Sequence, residues 1–136
     1  MSFDAAMRTA VSGLRAQTQR LRVVAENLAN ADTTSTEAGG DPYRRKTISF
    51  QSELDRDSGA SMVAIKQIGR DFSQFQRSFE PGHPSADAEG YVLRPNVKPL
   101  VEIMDMQEAQ RSYEANLTIL TGARSMLQRT IDLLRS

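Results

Sequence analysis

Apolar residues recur along both ends of the chain at alternating spacings of three and four, while the middle is broken by turn-forming residues and short alternations. Near the N-terminus the stripe reads Met7, Val11, Leu14, Thr18, Leu21, Ala25 and Leu28, flanked by a second one at Phe3, Ala10, Gln17 and Val24. Near the C-terminus it reads Ile103, Met106, Gln110, Tyr113, Leu117, Leu120, Arg124, Leu127, Ile131 and Leu134. This period predicts two long helices, over residues 3–30 and from residue 99 onward. At 1.5 Å per residue they span roughly 40 Å and roughly 50 Å, against a compact radius of gyration near ~14 Å for this length. The expectation is an elongated molecule whose ends meet and whose stripes need neighbours. Two stripes on one helix suggest more than one partner helix.

Local signals agree with that reading. Ser2 or Asp4 can cap the first helix, and Asn30 stands near its end. Gly13 is a helix-interior penalty of about 1 kcal/mol relative to alanine, which suggests close approach of another backbone. Proline is well tolerated at the first helical position, so Pro99 marks the start of the last helix. Glu102, Asp105 and Glu108 near its beginning, with Arg124, Arg129 and Arg135 toward its end, complement its dipole. Polar residues at two stripe positions, Gln110 and Arg124, weaken a private seam and can fix its register.

Between the helices, DTTSTEAGGDP at residues 32–42 has the composition of a loop. Residues 43–50 and 62–68 alternate apolar with polar side chains and predict two strands separated by a polar turn, a small hairpin or sheet. Pro81, Gly82, Pro84, Pro95 and Pro99 leave room only for turns and a brief strand at residues 91–93. The fold class is therefore mainly α with a small β region. Long N- and C-terminal helices pair as a coiled-coil-like axial domain, divided as 1–31, 32–98 and 99–136.

Composition narrows the chemistry. Lysine plus arginine equals aspartate plus glutamate at seventeen each, so no global field draws the chain to nucleic acid or to an anionic membrane. With no cysteine there is neither a disulfide framework nor a thiolate site. No apolar run approaches the ~20 residues of a membrane span, and the N-terminus lacks the features of a cleaved signal peptide. The lone histidine, His83, sits between prolines near Glu80, Asp87 and Glu89, in a spacing that fits a rigid turn better than a metal or catalytic site. Arg44-Arg45-Lys46 is too short and too well balanced elsewhere to argue for phosphate binding, and reads as a solvated or partner-facing strand. Arginines at 8, 15, 20 and 22 would suit a membrane-surface helix, but the small residues of the stripe suit helix packing better.

Ser12-Gly13-Leu14-Arg15-Ala16-Gln17, with Leu21 through Thr33 (LRVVAENLANADT), closely resembles the N-terminal signature of bacterial flagellar rod and hook proteins. Arg111-Ser112-Tyr113-Glu114-Ala115-Asn116 resembles the C-terminal signature of the same axial proteins. The middle, with Pro42-Tyr43-Arg44-Arg45-Lys46, residues 79–92 and Pro95-Asn96-Val97, is similar to the short proximal-rod branch of that family.

The resemblance implies a non-enzymatic structural subunit of the basal-body rod that transmits torque and lines the export channel, in a rod spanning the periplasm. Implied partners are the other proximal and distal rod proteins, the protein of the rod/MS-ring junction and the flagellar type III export apparatus. It implies export without a cleaved signal and no cofactor, metal, nucleic acid or small-molecule substrate. Expected interface residues are Met7, Val11, Leu14, Leu21, Asn27, Leu28, Asn30, Met106, Tyr113, Asn116, Leu117, Leu120, Leu127, Ile131 and Leu134. Phe3 and Met7 resemble an export-gate motif or simply pack in the helix. The competing reading is a coiled-coil adaptor that dimerises through its terminal helices.

Overall fold

A computed structural model describes residues 2–136. In chain order the elements are α1 (Phe3–Ala29), β1 (Lys46–Leu54), β2 (Ser61–Arg70), β3 (Gln76–Phe79), β4 (Tyr91–Arg94) and α2 (Pro99–Arg135). The strands form two separate two-stranded sheets, β1 with β2 and β3 with β4. The chain divides into two compact units: one gathers the chain up to Leu21, Ile48–Gln67 and Gln107–Ser136, the other Arg22–Thr47 and Ile68–Met106.

Both helices start and stop where local chemistry directs. The Ala5 amide donates to Ser2 Oγ at 3.1 Å, an N-cap bond, and Asp4 in the first turn pairs with Arg8 at 3.0 Å. At the other end the Asn30 amide and its Nδ2 both donate to the Glu26 carbonyl, at 3.1 and 2.8 Å. α2 opens on Pro99, with Glu102 in its first turn and Arg135 in its last, as the proline and charge pattern predicts.

In the first unit the buried positions of α1 are mostly small: Ala5, Ala10, Ser12 and Ala16. Small residues allow close approach. Arg20 pairs with Glu108 at 3.4 Å and Gly13 faces Asn116, so α1 and α2 run side by side in opposite directions here. A Cβ on Gly13 would stand 2.7–2.8 Å from the Asn116 side-chain amide. The glycine thus makes room for a side chain, where the sequence suggested a backbone. Ser12 joins the hairpin to the helix: its hydroxyl donates to the Thr9 carbonyl at 2.7 Å and accepts the Val63 amide of β2 at 3.0 Å. At the hairpin turn the Asp55 amide donates to the Ala60 carbonyl at 2.8 Å, and Gly59 adopts φ +73°, a conformation glycine enters without a Cβ penalty.

The strand assignments shift in two places. The first strand begins at Lys46, not Tyr43, because the backbone of the preceding residues is bonded elsewhere: the Tyr43 amide donates to Thr33 O at 3.0 Å and the Arg45 amide to Asn96 Oδ1 at 2.8 Å. Strand β3 was not expected, since Gln76–Phe79 (QRSF) shows little alternation. It forms through its antiparallel partner, with Phe79 opposite Tyr91 and their rings edge-to-face at 5.3 Å. The expected short strand at 91–93 is β4.

Residues 80–90 close this second sheet as a hydrogen-bonded turn. Asp87 Oδ1 accepts the amides of Glu89 and Tyr91, both at 2.9 Å, and those bonds hold its carboxyl below its usual pKa. His83 Nδ1 accepts the Ser85 amide at 3.0 Å, which makes the histidine a turn residue. Ser85, itself buried, donates from Oγ to the Ser35 carbonyl and so fastens the turn to the loop after α1.

Candidate functional site

Two features stand out from the fold: a buried polar cluster in the second unit and an uncovered apolar surface on α2. The cluster is centred on Asn27 and Glu102, both with no exposed surface. Asn27 sits in the last turns of α1, beside the buried Val23 and Val24. Its Oδ1 accepts the Tyr43 hydroxyl at 2.7 Å and the Lys46 amide at 2.8 Å; its Nδ2 donates to the Lys46 carbonyl at 3.0 Å and to Glu102 Oε2 at 3.3 Å. An asparagine amide offers two acceptor and two donor positions, and all four are occupied.

Glu102 Oε1 accepts Arg45 Nε. The same guanidinium lies 3.5 Å from Asp105 and 3.6 Å from Asp71. Burial alone would lower the Arg45 pKa; the Glu102 hydrogen bond and the charges of Glu102, Asp71 and Asp105 outweigh it and raise the value. Asp71 is held below its usual range, first by the Ser73 amide, then by the Ser73 hydroxyl, with Arg45 contributing. Burial pushes the Tyr43 hydroxyl up. An outer layer positions Arg45: Asn96 accepts its amide and donates from Nδ2 to the Asp71 carbonyl at 2.8 Å and to Ser73.

Of the basic triplet only Lys46 lies in a strand, and all three side chains are half-buried. Arg44 lies over Phe75 at 4.2 Å and Phe72 at 5.2 Å and donates to the Asp71 carbonyl at 3.0 Å. Arg45 enters the cluster, and Lys46 pairs with Glu26 at 2.6 Å, a contact that lowers the Glu26 pKa. Each cation has an internal partner.

The expected interface residues separate into three groups. Asn27, expected as an interface residue, lies inside the fold with its hydrogen-bonding capacity filled by the chain itself. Met7, Val11, Leu14, Leu21, Leu28, Asn30, Met106, Tyr113, Asn116 and Leu120 are half-buried. Asn30 caps α1 and accepts the Thr33 hydroxyl at 3.1 Å, and Asn116 donates to the Ser112 carbonyl at 2.9 Å. Leu117, Leu127, Ile131 and Leu134 are exposed, Leu134 to 82 %, as is Phe3 of the expected export motif.

Every residue in 124–136 is exposed, and this stretch of α2 carries Met126, Leu127, Ile131, Leu133 and Leu134. Monomeric proteins rarely leave such a continuous apolar surface in water. A groove of about 500 Å³ in the first unit is lined by Met7, Val11, Met62 and Val63 together with Asp4, Arg8, Ser12 and Arg15. Among the described residues no histidine, aspartate and glutamate side chains gather as a metal site, and no helix is long and apolar enough to cross a membrane.

Glu102 and Arg45 escaped the sequence reading as partners. Glu102 read as a dipole-complementing acid, and no local signal joins it to Arg45, 57 residues earlier in the chain.

Comparison with known proteins places these features. Residues 7–35 match the family described as flagella basal body rod protein, and residues 88–133 match the flagellar basal body rod FlgEFG protein C-terminal family. The chain is 49 % identical to the flagellar basal-body rod protein FlgC of Agrobacterium fabrum, over 98 % of this chain and 96 % of that protein. It is 37 % identical to the protein of the same name from Bacillus subtilis, over 93 % and 95 % of the two chains. For that of Borreliella burgdorferi the identity is 34 %, over 99 % of each.

Proposed function

Because this chain belongs to the FlgC family of flagellar basal-body rod proteins, we propose that it is built into the rod through the apolar surface its own fold leaves uncovered. It is a structural subunit of the rod and not an enzyme, and it assembles with other basal-body rod components. The finer reading is a proximal-rod subunit whose segments 1–31 and 99–136 form a coiled-coil-like axial layer. These helices line the export channel, 32–98 lies farther out, and interlocked helices transmit torque. Neighbours are proximal and distal rod proteins and the rod/MS-ring junction protein. Delivery is through the type III export apparatus, with Phe3 and Met7 contributing to entry.

The observation that carries this reading is the run Leu117, Leu127, Ile131 and Leu134, which continues a three-four spacing along α2 and which the described residues leave 39 to 82 % exposed. Contacts that repeat from one subunit to the next without closing generate helical assemblies, and apolar helix faces supply their stabilisation. The test is Leu127→Asp combined with Ile131→Asp in cells lacking the endogenous chain. The expected result is a protein that reaches the export machinery but is absent from isolated basal bodies, with swimming abolished. Normal incorporation and swimming would refute the assembly role of this surface.

A further inference from the structure

We propose that the Asn27–Glu102–Arg45 cluster is a register determinant: its directed hydrogen bonds hold the end of α1 and the start of α2 in one alignment. The apolar contacts available there specify alignment poorly. The buried residues beside Asn27 on α1 are Val23 and Val24, small side chains that tolerate a slid or rotated neighbour. The polar groups do not tolerate it. A shift of one residue moves a helix by 1.5 Å and turns it by about 100°, which removes the Asn27–Glu102 bond and leaves fully buried polar atoms without partners.

Both oxygens of Glu102 are committed, one to each flank: Oε1 to Arg45 and Oε2 to Asn27. Asn27 in turn grips both backbone polar groups of Lys46, so α1 is tied to the incoming chain as well as to α2. Arg45 is held from behind by Asn96 through its own amide. Three stretches distant in sequence therefore agree on one geometry. Buried ion pairs contribute little net stability relative to apolar replacements, and a best-attested role for buried polar groups is fixing register. The same inference accounts for an asparagine inside the helix of the Leu21–Thr33 signature, where an apolar residue would bury better.

The chain has no cysteine, so spin labels can be placed at will. Ala25→Cys and Met104→Cys, both exposed positions on the two helices of this unit, report their alignment in the full-length chain by double electron–electron resonance. The parent is expected to give one narrow distance. Arg45→Met with Glu102→Leu is expected to keep its helical circular dichroism but add a second distance displaced by about 5 Å, one helical turn. Val23→Ala, which weakens the same packing without touching the cluster, is expected to lower the urea midpoint and keep the single distance. A single unshifted distance in the double variant would overturn the proposal. So would loss of its helical signal, which would make the cluster a stabiliser, or a second distance in Val23→Ala, which would tie alignment to stability in general.

Discussion

The two ends of α2 share a helix and almost nothing else. Near its start Glu102 has no exposed surface and is bonded to α1 and to Arg45; after Ala123 every residue is exposed, including five large apolar ones. The first is fixed by side-chain partners from distant parts of the chain, and the side-chain hydrogen bonds of the second are to residues of the same stretch. The difference teaches that hydrophobicity alone does not mark the private core of this protein. Its most deeply buried large side chains include a glutamate and an asparagine, while most of its leucines and isoleucines are exposed.

Removing an internal partner should have the largest effect. Glu102→Ala removes the acceptor of Arg45 Nε and one of the two acceptors of Asn27 Nδ2, and is expected to lower the unfolding free energy by about 3 kcal/mol, read by urea denaturation. A loss below about 0.5 kcal/mol would mean that water replaces the carboxylate, and the contrast between the two ends of α2 would fail.

Midway along the helix, Gly13→Leu crowds Asn116 and is expected to destabilise by about 2 kcal/mol, with Asn116→Ala restoring part of it in the double variant. Simple additivity of the two substitutions would show that the crowding arises elsewhere.

The acid response is gentler. The carboxyls of Asp71, Glu80 and Glu26 are all lowered in the fold, by the Ser73 amide, the Arg94 guanidinium and the Lys46 ammonium respectively as the leading causes. A folded value below the ordinary 3.8 or 4.5 means that the folded state binds fewer protons than the unfolded chain as pH falls through that window. Stability is then fully present above about pH 5 and is lost as pH falls through the lowered values. A thermal midpoint that rises on acidification from pH 5 to 3 would reverse the sign.

Smallest of all is the effect of charging the tail. Leu127→Asp with Ile131→Asp is expected to shift the stability of the free chain by no more than about 0.5 kcal/mol, although it should abolish incorporation into the rod. A large drop in free-chain stability would show that the tail already packs within its own molecule.

The two helices were legible in the sequence because helices advertise themselves locally. Period, Pro99, the Ser2 cap and the end charges located α1 and α2 to within a residue or two. The strands were harder. β3 has four residues and depends on Tyr91, fifteen positions after Gln76, for its aromatic contact; nothing in QRSF announces it. The start of β1 moved because Tyr43 and Arg45 give their amides to distant acceptors. For the site, the stripe of α2 was visible and its last residues are exposed, whereas Asn27, expected among the interface residues, lies inside. Helical spacing tells which residues share a face but not what that face meets, and the polar partners of Asn27 come from three separate stretches. Gly13 shows the same limit: its need for space was readable, the identity of its neighbour was not.

Amide hydrogen exchange, compared between the free chain and isolated basal bodies, tests most directly whether the tail of α2 is reserved for a neighbour. Residues 22–29 and 99–106 should be protected in both states, and residues 124–135 should exchange fast in the free chain and become protected in the rod. Strong protection of 124–135 in the free chain, or continued fast exchange there in the rod, would contradict the account.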